Sequence, residues 1–236
     1  MTGDIAFIFD MDGTIVDNMH VHNQTWQTVL AEEGVQIDID EFNRQTMGMR
    51  TPEILRLYLG ERATGAEIAH ISEKKEANYR KAFRPYLRAI AGLPGFLEQA
   101  RRLQIPVALA TAAGKANIEY VLSGTGLKPY FEVLVSGEEV AQGKPHPEIF
   151  LVAARRLGIS PQQCMVFEDS LLGVEAACRA GMKAIAITTS IPAKDFTGVC
   201  PVLEIAGDFL DLQPGQVIQL FNEQDGETPP AGKYPG

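Results

Sequence analysis

Five consecutive apolar residues, Ile5 to Phe9, run straight into Asp10, with Asp12 two positions on and Gly13 directly after it. An unbroken apolar run of that kind suits a strand buried on both faces of a parallel sheet. Similar short runs predict further strands at Pro106 to Ala110, Phe131 to Val135, Met165 to Phe167 and Lys183 to Thr188. Between them the spacing predicts amphipathic helices at Pro94 to Leu103, Lys115 to Leu122, Pro147 to Leu157 and Leu171 to Ala180. Strands separated by helices of this length imply right-handed crossovers, hence an α/β fold with a doubly wound parallel sheet. Between Thr189 and Gly207 the pattern is weak and suggests a loop followed by a short edge element near Val202.

The stretch after Thr14 keeps helical spacing for about seventy residues, with no strand-like alternation. Trp26, Val29 and Leu30 mark the apolar face of a helix that Gly34 ends. Thr51 followed by Pro52 predicts an N-cap with proline at the first helical position, and Gly60 a stop. Thr64 with Glu67 forms a capping box, after which Ile68, Ile71, Lys75, Tyr79 and Phe83 hold one register, a single member of it polar. The expected organisation is therefore an α/β core over residues 1–16 and 88–225, an all-helical insertion over 17–87, and a mobile Gly- and Pro-rich tail over 226–236.

Charge narrows the partners. The chain of 236 residues carries 21 Lys and Arg against 30 Asp and Glu, a net charge of -9, and no basic tract that could neutralise a phosphate backbone. Nucleic acid is not an expected partner. No apolar stretch approaches the roughly 18 to 20 residues needed to cross a bilayer, and no basic start with an apolar leader opens the chain. Cys164, Cys178 and Cys200 are odd in number and far apart, and read as reduced packing residues of a cytoplasmic protein. The oligomeric state is not legible, and a monomer fits.

Several strands end as the first one does, in polar groups. Strand ends are where open parallel sheets bind ligands. Thr111 follows one run and precedes Ala112, Ala113, Gly114 and a helix start, which suits an anion site or a simple helix cap. Lys144 is bracketed by Gly143, Pro145 and Pro147, so a stiff loop holds a charge that elsewhere would be surface. Met165 to Phe167 ends in Glu168, Asp169 and Ser170. If the first and fourth strands are neighbours, Asp10, Asp12, Glu168 and Asp169 converge, and oxygen ligands that cannot all ionise together favour Mg²⁺. An Asp-Gly turn that merely ends a strand is the plainer reading of the first stretch.

FDMDGT, then Thr111 at a strand end, GKPHPEIF around Lys144 and FEDSLLGVEAACRAG around Asp169 resemble, in that order, the four motifs of the haloacid dehalogenase superfamily. The helical insertion resembles the cap of its beta-phosphoglucomutase and sugar phosphatase subgroup. This resemblance implies a Rossmann-like core, Asp10 as nucleophile toward phosphorus and Asp12 as general acid and base. It also implies Mg²⁺ on Asp10, the Asp12 main-chain carbonyl, Glu168 and Asp169, with Thr111 and Lys144 gripping phosphoryl oxygens. In the cap it points to His22, Gly48, Arg50, Thr51 and, beside Thr111, Ala112 as substrate contacts. The stretch from Thr46 to Thr51 keeps the glycine of the mutase pattern, but Met47 stands at its lysine position and Thr51 at its arginine position. That departure favours hydrolysis of a small phosphorylated metabolite over mutase activity. Asn18 and His20 either face the substrate or cap the first helix, Trp26 and the methionines of the insertion pack, and a non-catalytic phospho-acceptor domain remains the alternative of another class.

Overall fold

The protein is described by a computed structural model covering residues 5–196 and 202–223. At its centre lies β1 (Ala6–Phe9), paired on one side with β2 (Val107–Thr111) and on the other with β4 (Cys164–Glu168). With β3 (Val133–Ser136), β5 (Lys183–Ile187) and β6 (Val202–Ala206) the six-stranded order is β3-β2-β1-β4-β5-β6, every pair parallel. The chain reverses its direction of travel across the sheet at β1, which opens a crevice beyond the carboxyl ends of β1 and β4.

Each face of β1 feeds a separate apolar cluster: Phe7 and Phe9 enter one, Ala6 and Ile8 the other. Burial on both faces is why this strand reads as a continuous apolar run. The first cluster is closed by α5 (Leu93–Arg102), α6 (Lys115–Thr125) and α9 (Pro214–Glu223), through side chains such as Phe96, Val121 and Phe221. The second is closed by α7 (Glu148–Leu157) and α8 (Leu171–Arg179), through Phe150 and Val174. Phe9 stacks on Phe167 across the β1–β4 pair with centroids 4.3 Å apart, and Phe96 meets both rings edge-on. Contacts of this geometry add about 1 kcal/mol each beyond area burial and fix the ends of the two strands that carry the acids.

The insertion forms α1 (Met19–Glu32), α2 (Ile39–Thr46), α3 (Thr51–Leu59) and α4 (Gly65–Phe83) around its own cluster of Trp26, Leu30, Phe42, Leu55 and Ile68. Val21 on α1 and Tyr79 and Phe83 on α4 join the first sheet cluster instead, which seats the insertion over the crevice. The α4 register holds throughout, for Ile68, Ile71, Lys75, Tyr79 and Phe83 are all buried.

Three expectations change. Thr51 is the first residue of α3 rather than its cap: Arg50 takes that place, its amide donating to Glu53 Oε2 at 3.1 Å. The helix α9 was not anticipated, although Pro214 opens it and Val217 and Phe221 have helical spacing on a buried face. Cys178 is disulfide-bonded while Cys164 is free, so the reading of all three cysteines as reduced fails at Cys178. Separation along a chain is no guide to separation in space. Cys200 and the proposed tail lie outside the described residues. Among the described residues no helix is long and apolar enough to cross a membrane.

Candidate active site

Pairing of Phe9 with Phe167 brings the residues that follow the two strands side by side. Asp10 donates its amide to the Phe167 carbonyl at 3.0 Å, and carboxylate oxygens of Asp10, Glu168 and Asp169 lie within 4.8 Å of one another. All three residues are buried, and so is Lys144, whose ammonium donates to Asp10 Oδ1 at 2.6 Å and to Glu168 Oε1. Glu168 Oε2 accepts from the Asp169 amide at 2.8 Å, the Ser170 amide at 2.9 Å and the Ser170 hydroxyl at 2.9 Å. Asp169 Oδ2 accepts from the Ser190 hydroxyl. Gly13, at φ 79°, has no side chain because a Cβ there would fall inside the Asp169 carboxylate.

Three buried carboxylates face one ammonium. Burial, with Glu168 and Asp12 adding to it, pushes Asp10 up to about 8 despite Lys144, and burial with its acidic neighbours pushes Asp169 well above the usual carboxylate range. Such a group is short of positive charge. The donor set is all oxygen, and among the described residues neither Asp10 Oδ2 nor Asp169 Oδ1 has a hydrogen-bond donor. These residues fit a hard divalent cation such as Mg²⁺. Glu168 is engaged by donors on both oxygens, so here it serves to anchor Lys144 and the strand-end amides.

Asp12 turns away from this cluster toward the insertion. Its Oδ1 accepts from Asn18 Nδ2 at 2.5 Å and stands 3.5 Å from His22 Nε2. Burial alone would raise this carboxyl, but His22, Asn18 and Lys75 together hold it below its ordinary value. Behind His22, the Lys75 ammonium reaches His22 Nδ1 at 2.9 Å and Glu76 Oε1 at 2.9 Å. A charged Lys75 donates to Nδ1, which leaves the imidazole proton on Nε2, facing Asp12. Tyr79 stacks under the imidazole at 3.9 Å. Glu76 also accepts from Thr51 at 2.6 Å and from Asn117 at 2.7 Å, so α3, α4 and α6 meet at one carboxylate.

Between the two halves lies a cavity of about 80 Å³. Of the residues expected at the site, Asp10, Asp12, His22, Gly48, Thr51, Thr111, Ala112, Glu168 and Asp169 line it. Lys144 touches it only through Asp10 and Glu168. Thr111 accepts from the Ala113 amide at 3.1 Å and does not cap α6, whose cap position is Gly114. Arg50 is a correction: its guanidinium points to the core loop, where it donates to Val140 and Ala141 carbonyls at 2.7 Å each, rather than to a substrate. Asn18 is buried and holds Asp12, whereas His20 lies on the surface against Tyr86. Lys75 and Glu76 line the cavity and were not anticipated. Lys75 was the lone polar member of a buried helical register, and that outlier was the available signal.

A model of haloacid dehalogenase-like hydrolases matches residues 6–181. The chain belongs to this family. Within the haloacid dehalogenase-like family it is 33% identical over 181 residues to the fructose-1-phosphate phosphatase YqaB of Escherichia coli, covering 76% of this chain and 94% of that protein. It is 31% identical over 189 residues to the protein CbbY of Rhodobacter capsulatus, covering 76% and 83%. In structure it resembles a beta-phosphoglucomutase from Clostridium difficile with a TM-score of 0.83 and 25% identity, over 94% of this chain and 99% of that one.

Proposed function

We propose that the protein is a Mg²⁺-dependent phosphatase acting on a small phosphorylated metabolite, a sugar monophosphate, through an aspartyl phosphate on Asp10. The observation that carries this reading is Asp10 itself: it ends the central strand, borders the cavity, is held by Lys144 and has two further acids within 4.8 Å. Asp10, Asp169 and the Asp12 carbonyl would hold Mg²⁺, with Glu168 alongside. The metal supplies positive charge that offsets repulsion between an anionic nucleophile and an anionic phosphoryl group.

The Asp10 oxygen not held by Lys144 attacks phosphorus, and the bond from phosphorus to the sugar oxygen breaks. Asp12 gives its proton to that leaving oxygen, then takes one from the water that attacks the aspartyl phosphate, releasing inorganic phosphate and restoring Asp10. Without substrate Asp12 is held ionised by His22, Asn18 and Lys75. A phosphoryl dianion beside it opposes the Lys75 ammonium, so Asp12 takes up its proton once substrate is in place. Thr111 and Lys144 hold the phosphoryl oxygens. Residues 17–87 act as a cap that closes over this chemistry and excludes water.

The cap wall combines Trp26 and Phe42 with Asn23, Asn43, Thr46 and Thr51, an apolar surface among hydrogen-bonding groups that suits a hydroxylated body. YqaB supports the sugar phosphate. Mutase chemistry needs a grip on a second phosphate. Here the Lys75 ammonium is paired with Glu76 and Arg50 is tied to Glu53, which favours hydrolysis. A phosphate-release screen over sugar phosphates, nucleotides, pyrophosphate and an aryl phosphate, with Mg²⁺ and with EDTA, tests the proposal. Metal-dependent release, highest for sugar monophosphates, supports it; isomer interconversion that needs a bisphosphate primer would replace it by the mutase reading, and no release from any compound would refute it.

A further inference from the structure

Arg50 and Glu53 make contacts that the proposed chemistry does not use. From the start of α3 the Arg50 guanidinium donates to the carbonyls of Gly137 at 3.4 Å, Val140 at 2.7 Å and Ala141 at 2.7 Å, and to Glu53 Oε1 at 2.6 Å. Glu53 Oε1 in turn accepts from the Gly143 amide at 3.0 Å. A planar guanidinium can satisfy several carbonyls at once in a way an ammonium cannot. A Cβ at 143 would collide with the Glu53 carboxylate and push it off the loop. The remaining amides of the loop, Ala141 and Gln142, donate to Glu148 on α7 at 2.9 and 3.0 Å. The loop is therefore fastened to the core on one side and to the insertion on the other.

Its next residue is Lys144. Directly above, Gly48 adopts φ 98° in the turn before α3, and a Cβ on it would stand 3.4 Å from Lys144 Cδ and 3.6 Å from Lys144 Cβ. One short segment of the insertion, Gly48 to Glu53, thus packs on the Lys144 stem and also grips the loop that leads into it.

We propose that Arg50 and Glu53 are positioning residues: they clasp loop 137–143 to the insertion, and so fix Lys144 against Asp10 only while the insertion is seated on the core. This inference rests on the phosphatase reading for its effect on turnover, though the clasp itself is readable without activity. When the insertion lifts, three carbonyls and one amide return to water, an exchange with small net cost because water replaces the lost partners. Lys144 then loses the restraint on its backbone and stem. A cation misplaced by a fraction of an ångström stabilises the transition state poorly.

The test uses Arg50→Gln, Arg50→Lys, Gly143→Ala and the Arg50→Gln/Gly143→Ala double variant. Hydrogen exchange of the 140–143 amides is measured without substrate, and kcat and KM are measured on a sugar monophosphate and an aryl phosphate. Each single variant should speed exchange in that loop and lower kcat about tenfold on both substrates, with KM changed less than about threefold. The double variant should be little worse than either single one, since both open the same clasp. Arg50→Lys should recover little. Unchanged exchange in the Arg50 and Gly143 variants would overturn the proposal, as would additive losses or a KM rise confined to substrates with a second charged group. If no phosphate ester is turned over by the unaltered protein, the phosphatase reading falls, while the exchange comparison still decides the clasp.

Discussion

Replacing Asp10 by Asn should abolish turnover and at the same time stabilise the metal-free protein. At an effective dielectric constant near 20, carboxylates no more than 4.8 Å apart repel by at least about 3 kcal/mol, and Asp10 faces two of them. The Lys144 ammonium 2.6 Å from Asp10 attracts it by about 6 kcal/mol on the same scale. The acids therefore offset the attraction of Lys144, and the cost of taking the Asp10 charge out of water is the largest cause of its raised carboxyl. An amide of the same shape avoids it, so Asp10→Asn should gain about 1 to 3 kcal/mol, or a melting temperature about 3 to 8 °C higher in EDTA. Mg²⁺ reverses the order. It stabilises the unaltered protein by mass action, about 2.7 kcal/mol at a hundred times Kd, and the variant less because a charged ligand is gone. Thermal unfolding in EDTA and in Mg²⁺, beside a phosphate-release assay, reads all three effects. Retained turnover would remove Asp10 as nucleophile; a variant that melts earlier in EDTA, or equal Mg²⁺ shifts for both proteins, would refute the charge reasoning.

Two further outcomes follow from neighbouring residues. Gly13→Ala puts a Cβ into the Asp169 carboxylate at a left-handed backbone position, and should lower phosphatase kcat/KM by about 100-fold or more, with weaker Mg²⁺ binding by calorimetry. Glu76 is held down to about 2 by Lys75, His22 and its hydrogen bonds, although burial opposes them. A depressed carboxyl adds stability that is present above its ordinary value near 4.5 and is lost as pH falls from there toward 2. With about a fifth of that side chain exposed, solvent screening reduces the contribution to about 1 to 2 kcal/mol. Urea unfolding should therefore show Glu76→Gln less stable at pH 7 and the gap closing below pH 4.5; a gap that persists unchanged to pH 3 would contradict this assignment.

The sheet was legible because both faces of β1 are buried, so the strand announces itself as Ile5 to Phe9 and stops at an acid. Pairing of strands one and four was an assumption in the sequence reading, and the register of Phe9 with Phe167 supplies it. The insertion was legible as helices but not as a surface. Arg50 illustrates the limit: the resemblance pointed to a substrate contact, yet side-chain direction at a helix start depends on the neighbouring loop, and its guanidinium is taken up by the carbonyls of Val140 and Ala141 in the core. Cys178 failed for the same reason, since pairing is a matter of distance in space. The α9 helix was missed because ten residues with two buried apolar side chains are a weak signal until a sheet face is available to receive them.

The two acids of the site answer to the insertion through separate contacts. On the Asp10 side, Gly48, Arg50 and Glu53 bear on Lys144 and its loop. On the Asp12 side, α1 brings His22, and α4 brings Lys75 to orient it. Asn18, just before α1, ties the two chains of contact by donating to Asp12 and to Tyr79 on α4 while accepting the Gly13 amide at 3.1 Å. Lifting the insertion would therefore release Lys144 from Asp10 and the imidazole from Asp12 in one movement. Under the proposed mechanism, an open crevice would present a nucleophile without its cation and a base without its partner, so attack on substrate would wait until the insertion closes over it. On this proposal, cap closure would do more than exclude solvent: it would assemble the charges that attack and proton transfer each require.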